Sequence, residues 1–343
     1  MTELLAERRG SDFADLARSI KAAGLLDRRY GYYAVRMALT VLALAAVAVG
    51  FVMLGDSWWQ LLLAVGVALV STQFGFLGHD AGHRQIFTSR KYNDLVGYIC
   101  GTVTGISYGW WVGKHNRHHA NPNHDDDPDI DIPALAFSRD QARTKTGPLR
   151  WIAAYQAYLF LPLLLTQGVM LKVAGVEAIV KREVRAVRLE AFLFIAHTAG
   201  YLTAVFMVLS PGKAVLFILV HHGVMGVHLG LSFAPNHKGM PLVAKDEKLD
   251  FLRKQVLTSR DILGNHGVDV LLGGLNYQIE HHLFPNMPSV NLRHAQPMVR
   301  DYCASIGVPY LACGMLESYL QVLSHLHDSG APLREPRPAT AAV

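Results

Sequence analysis

The sequence predicts an all-α integral membrane protein. Two transmembrane helical hairpins, four spans in all, are expected beneath a cytosolic cap of further helices. Three observations predict this. The 343 residues are 51% hydrophobic and only 17% charged, with the apolar residues gathered in uncharged runs long enough to cross a bilayer. The short links between those runs are nearly free of Lys and Arg, whereas the other side is rich in them. The chain's 17 histidines fall into clusters, several of them close to the ends of the runs.

Residues 1–36 read as a basic, partly helical cytosolic lead-in. No small-residue cleavage site follows a short apolar core there, so the first apolar run is expected to remain as an anchor. Residues 37–54 and 58–77 are uncharged and form the first hairpin through Gly55-Asp56-Ser57. Residues 191–209 and 214–233 form the second through Ser210-Pro211-Gly212-Lys213. Two further apolar stretches are broken. Residues 95–112 hold many glycines, and residues 151–171 carry Pro162 and Gly168. Both are expected to be interfacial or re-entrant. If neither spans, or both do, every histidine cluster lies on one face; if only one spans, the clusters are split across the bilayer.

Orientation follows from the basic residues. Arg8, Arg9, Arg28, Arg29, Arg36, Arg84, Arg90, Lys91, Lys181, Arg182, Lys238 and Arg253 lie on the side opposite the tight links, and that side is expected to be cytosolic. The membrane domain then runs over residues 37–327. Residues 328–343, with Pro332, Pro336 and Pro338, are expected to be a disordered tail. No internal repeat is evident. Cys100, Cys303 and Cys313 form no C-x-x-C pair, which argues against a disulfide framework, a thiolate zinc site or an iron–sulfur cluster.

The chemistry is in the histidines. His79-Asp80-Ala81-Gly82-His83 is H-x-x-x-H, His115-Asn116-Arg117-His118-His119 is H-x-x-H-H, and Gln278-Ile279-Glu280-His281-His282 is Q-x-x-H-H. On a helix, positions i, i+3 and i+4 share a face, so each box aims its imidazoles at one point. A lone H-x-x-x-H arises often by chance, but three boxes on one membrane face are hard to explain as packing. His79, His83, His115, His118, His119, His281 and His282 are therefore expected to ligate metal. Seven imidazoles exceed the four that one tetrahedral zinc takes and suit two ions. Imidazole accepts zinc, copper, nickel and iron alike, so the ligand type leaves the metal open.

The three boxes, their order and their placement resemble the membrane fatty acid desaturase family over about residues 58–309. Gln278, where a first histidine of the third box would stand, resembles the front-end branch. That branch acts between an existing double bond and the carboxyl end. The stretches from Gly78 to His83 and from Asn276 to Pro285 look like bacterial members of that group. The resemblance implies a cytosolic cap holding two iron ions, O2 as co-substrate, and a fatty acyl substrate on coenzyme A, a carrier protein or a lipid. It implies a place in the bacterial plasma membrane.

It also implies one more histidine from the region after the last span. His221, His222, His228 and His237 are the candidates. His237 follows its span directly, as His79 does. His221 lies 16 residues earlier, roughly 24 Å deeper on a helix, so His237 is favoured and His228 is the runner-up. Asn236 beside it is a candidate to hold a water at the metals. Gln278 is a candidate weak or water-mediated ligand. Ligating imidazoles need acceptors behind them; Asp80, Glu280 and the run Asp125-Asp126-Asp127 are candidates, and the run is otherwise a solvated acidic loop.

An alkyl C–H bond offers no acidic proton, so side-chain acid–base chemistry cannot break it and a redox cofactor must. Two electrons must come from outside. The chain has no His-Pro-Gly-Gly of a fused cytochrome and no G-x-G-x-x-G element, so a separate ferredoxin or flavoprotein reductase is implied. Lys245, Lys248, Arg253, Lys254 and Arg260 are candidates to dock it or an acyl headgroup, against the plainer reading of a solvated surface. Membrane lipids are expected partners and nucleic acid is not. Two rival functions use the same features. A hydroxylase or alkane oxygenase would carry similar boxes, and a metal transporter would carry intramembrane histidines along a path at mid-membrane depth.

Overall fold

A computed structural model describes residues 11–245 and 247–334. The chain is almost wholly helical, and two three-residue strands are the exception to the all-α expectation. Helix α1 (Asp12–Ala22) is capped by Ser11, whose side chain accepts from the Ala14 N–H. Helices α2 (Tyr30–Leu54) and α3 (Gln60–Gly82) form the first hairpin. The side-chain amide of Gln60 closes its turn by donating to the carbonyls of Phe51 and Gly55, at 2.7 and 2.9 Å. The outer face of α2 is apolar and open: Leu39, Leu42, Val49 and Val52 are exposed. Such a face suits lipid rather than water.

Helices α4 (Arg90–Thr104) and α5 (Tyr108–Ala120) occupy the glycine-rich stretch, which is broken into a pair of shorter helices. The break is at Gly105, with φ +70°. A Cβ there would lie 2.5 Å from the His197 ring and 2.7 Å from Lys172 Nζ. Lys172 and His197 thus sit at the carbonyl end of α4. Glu190 sits at the opposite pole, accepting from the Gly109 N–H at 3.2 Å and from the Ser107 hydroxyl at the start of α5. The Lys172 cation at one helix end and an acid at the other match the two helix dipoles. This clasp fixes α5, which carries the second histidine box.

After two short helices, α6 (Arg139–Thr144) and α7 (Gly147–Ala154), comes α8 (Gln156–Val180). It contains Pro162 and crosses α10 (Pro211–His237) where Gly168 meets Gly226; a Cβ on Gly226 would lie 2.4 Å from the Leu164 carbonyl oxygen. Helix α9 (Val187–Val208) pairs with α10 in the second hairpin. Five helices, α2, α3, α8, α9 and α10, are long and apolar enough to cross a membrane, one more than the four expected. The extra one is α8. Its Gln156 side chain binds the Leu326 carbonyl at 2.8 Å, and Phe160 packs with Leu231 and Ala234 near the end of α10. Its other end, Ala178 and Ile179, packs with Val187 and Ala191 at the start of α9.

The two hairpin turns are tied together. Asp56 Oδ1 accepts from the Ser210 N–H at 2.9 Å and its hydroxyl at 3.0 Å, and Lys213 Nζ donates to the Asp56 carbonyl at 2.6 Å. The start of α9 and the end of α10 are therefore at the far end of the bundle from these turns.

The cap covers that far end. It comprises α1, α11 (Phe251–Leu257), β1 (Asp261–Leu263), α12 (His266–Leu271), α13 (Gln278–Leu283), α14 (Ser289–Ser305), β2 (Ala312–Gly314) and α15 (Met315–Arg334). The strands pair in parallel, Asp261 opposite Ala312. Leu16, Ile20, Leu252, Ile279, Met287 and Leu292 build the cap's core.

Two expectations change. Helix α15 continues through residues 328–334, which were expected to be disordered, and Ser329 and Gly330 are buried. Residues 335–343, and residues 1–10 with Arg8 and Arg9, lie outside the described residues. Arg260 is not a surface cation. It is fully buried, and its guanidinium donates to the carbonyls of Pro235 and Lys238 and to the Gln321 side chain, pinning the end of α10 to α15.

Candidate metal centre

Four elements deliver eight histidines to one place. The last turn of α3 supplies His79 and, just past it, His83. Helix α5 supplies His115, His118 and His119. The end of α10 supplies His237, and α13 supplies His281 and His282. They form two groups. His79, His83, His115, His119 and His281 each bring a nitrogen within 4.8 Å of the others, and His118, His237 and His282 do the same. The Nε2 atoms of His79 and His281, of His281 and His119, and of His119 and His115 are each 3.1 Å apart. Two nitrogens on one ion at 2.0–2.1 Å stand about 3–3.4 Å apart, so this crowding has the spacing of a ligand shell.

The donor atoms fit a metal in a second way. His83 Nε2 and His282 Nε2 are buried and have no hydrogen-bond partner among protein atoms. Leaving such an atom unpaired costs about 1–3 kcal/mol, a penalty that ligation removes. Behind the cluster, the Nδ1 atoms are held. Asp80 Oδ1 lies 3.2 Å from His79 Nδ1, and both Asp127 oxygens lie 3.0 Å from His118 Nδ1. Gln255 Oε1 is 2.9 Å from His282 Nδ1, and the Thr258 carbonyl is 3.0 Å from His237 Nδ1. Each partner is an acceptor, so each Nδ1 donates; the Nε2 lone pairs of His79, His118 and His282 are left for the centre, while that of His237 also meets the Gln278 amide nitrogen. The Nδ1 atoms of His119 and His281 have no such protein partner.

Electrostatics point the same way. Burial, reinforced by the neighbouring imidazoles, pushes His83, His115, His119, His281 and His282 well below the usual histidine range. At neutral pH these rings are uncharged, the form that binds metal. Burial alone would raise the Asp127 carboxyl, but the hydrogen bond from His118 holds it below the carboxylate range. Asp127 was a sequence candidate. Asp125 and Asp126 are on the surface side of the loop, where Asp125 accepts from the Lys245 N–H and Asp126 lies 3.6 Å from Lys245 Nζ.

The other candidates divide. Gln278 Nε2 is 2.9 Å from His237 Nε2, and its Oε1 accepts from Asn236 at 3.0 Å. Asn236 also donates to the carbonyls of Ser232 and Leu275, so its amide group braces the end of α10. Glu280 faces away from the imidazoles and holds no ring. Tyr310 donates to its Oε1 at 2.9 Å and to Asp261 at 2.6 Å. Burial, followed by the nearby Asp261 charge, raises Glu280 well above the carboxylate range. His221 lies elsewhere, bonded to the Tyr201 hydroxyl at 2.8 Å and close to Ser71 at 3.3 Å. His228 Nε2 meets the Leu271 carbonyl at 2.7 Å, and His222 Nδ1 the Ile218 carbonyl at 3.0 Å.

Sequence reasoning missed Gln255, the Thr258 carbonyl, and the group around Asp80. Asp80 accepts from Arg36 at 2.7 Å, from the Ser289 hydroxyl at 2.8 Å and from the Tyr33 hydroxyl at 3.1 Å. No spacing rule joins residues so far apart in the chain. Among the docking candidates, Arg253 is paired with Asp12 and Asp250, and Lys254 donates to Asn121 at 2.8 Å.

Known proteins resemble this chain over most of its length. Residues 56–314 match the fatty acid desaturase family model. An acyl-lipid (9-3)-desaturase of Physcomitrium patens is 32% identical over 96% of this chain and 65% of its own length. A Delta(6)-fatty-acid desaturase of Caenorhabditis elegans is 31% identical, over 92% of this chain and 74% of its own. A Delta(8)-fatty-acid desaturase of Helianthus annuus is 29% identical, over 94% and 74%. The chain thus spans about two thirds to three quarters of the length of these relatives. With most of its length matched and its three histidine boxes gathered in one buried site, this chain belongs to the fatty acid desaturase family.

Proposed function

We propose that this fatty acid desaturase introduces a cis double bond near the carboxyl end of an acyl chain. The observation that carries the reading is the pair of histidine groups at one end of an apolar bundle. His79, His83, His115, His119 and His281 would hold one iron, and His118, His237 and His282, with Gln278 alongside, a second. The donor set is all neutral imidazole, which suits iron among other borderline ions. Iron supplies the redox chemistry with O2 that no side chain has. The balance is two hydrogens from adjacent carbons, two outside electrons and two protons, reducing O2 to two waters. The protein's part is to keep the imidazoles unprotonated, to orient them through Asp80, Asp127, Gln255 and Thr258, and to shield the centre from bulk water.

The front-end assignment rests on Gln278 in the third box and on the Delta(6) and Delta(8) names of relatives. A four-span arrangement is supported by the joined hairpin turns and by α8, both ends of which approach the histidine-bearing end. Basic residues at that end support a cytosolic centre. The two electrons the reaction needs would come from a separate ferredoxin or flavoprotein reductase. Expression in a host with a compatible reductase, followed by fatty acid analysis with double-bond localisation, tests the reading. Hydroxylated products or an unchanged profile with full iron would overturn it.

A further inference from the structure

A groove of about 410 Å³ lies outside the metal centre, between α2, α3 and the segment from α12 to α14. Its volume is that of a small-molecule site. One wall is a strip of α2, Val35, Leu39 and Ala43, which runs about 12 Å along the helix axis. Val35 and Leu39 are 60% and 61% exposed, so this wall opens on the outer, apolar face of the bundle. Arg36 also lines the groove from α2, and the wall that belongs to the cap carries His266, Asp269 and Arg293. Arg36 is engaged by Asp80. Arg293 contacts both nitrogens of the His266 ring, and Asp269, at 3.4 Å, is its one carboxylate neighbour among the described residues. A fork of five donors is thus left short of acceptors, at the lip of an apolar slot.

We propose that this groove binds one anionic glycerophospholipid, with its phosphate on Arg293 and His266 and one acyl chain along Val35, Leu39 and Ala43. The site rests on the membrane orientation proposed above, and it is distinct from the metal centre. Guanidinium matches phosphate in a two-pronged contact. The chemistry of the groove, a guanidinium beside a single carboxylate at the lip and an apolar strip along the helix, is that of a lipid and not of a wholly polar anion. An acyl chain reaching the slot from the bilayer needs no passage through water.

The test is photo-crosslinking in vesicles of phosphatidylcholine doped with phosphatidylglycerol bearing a diazirine in its acyl chain. The full chain is used, and the labelled peptides are mapped. Label should concentrate on residues 35–43, and Ala43→Trp and Arg293→Glu should each reduce it by about fivefold or more, close to 1 kcal/mol. Label on the exposed face of α9, at Phe192 and Ile195, should be unchanged. Both variants should keep the parent's iron content, which separates a filled groove from a misfolded chain. Equal label on α2 and α9, indifferent to both variants, would overturn the proposal in favour of ordinary surrounding lipid. Inorganic phosphate competing as well as a short-chain phosphatidylglycerol would overturn it in favour of a free-anion site. A reversed orientation would still label the groove, from the other leaflet, so that failure is told apart from this one.

Discussion

The amide nitrogen of Gln278 lies 2.9 Å from His237 Nε2. The two residues come from α13 and α10, yet the third box and the end of the last long helix meet at this pair. His237 thereby joins His118 and His282 as the eighth clustered imidazole. His237→Ala is expected to lose metal and to cut desaturation at least about 100-fold, since even residues that only orient ligands contribute 10–100-fold. His221→Ala removes bonds to Tyr201 and Ser71, so it should lower stability by about 1–3 kcal/mol but keep its iron. Iron per chain measured on both variants checks this; full iron in the His237 variant would sink the assignment.

Asp127 holds His118 with both oxygens and also accepts from the Asn123 N–H at 2.8 Å. Asp127→Ala should weaken metal binding by about 10–100-fold without removing any ligand. Chelator titration reads the change. Asp125→Ala, on the outer part of the loop, should leave the titration where it was, and equal effects in the two variants would refute the distinction.

Metal-free protein should lose stability in acid. Burial and neighbouring imidazoles hold His83, His115, His119, His281 and His282 well below the histidine range, whereas an unfolded histidine titrates near about 6.5. Below that value the unfolded chain binds more protons than the folded one, so stability rises with pH. The contribution is present above about pH 6.5 and is lost progressively as the pH falls. Thermal unfolding of the chelated protein from pH 8 to pH 5 should show a falling midpoint, and a flat profile would contradict the neutral-imidazole picture.

Labelling of single cysteines in intact cells should resolve the orientation. The native thiols Cys100, Cys303 and Cys313 are buried, so background is low. Asp56→Cys, in the joined turns, should label from outside. Cysteines placed beside His83, His119 and His282 should stay protected until the membrane is opened. The reverse pattern would place the metal centre outside.

The clustering of the histidines was legible in the sequence because a helix sets its own geometry. Spacings of three and four residues put His115, His118 and His119 on one face wherever the helix goes. The hairpins were legible because the bilayer sets a length and forbids charge. The family resemblance called for one more histidine, and depth picked out His237, which the fold brings beside His118 and His282. What only the tertiary structure decided is which atoms stand behind the ligands, since Asp127, Gln255, Thr258 and Arg36 meet their rings or carboxylates through folding and not through spacing. Composition could not assign α8 either. It is as apolar as its neighbours, but its path is set by the Gly168–Gly226 crossing and by Gln156, contacts made between helices. Glu280 shows the limit from the other side. It is adjacent in sequence to His281, but a one-residue step on a helix turns a side chain about 100°, and that turn takes it from the metal centre to Tyr310.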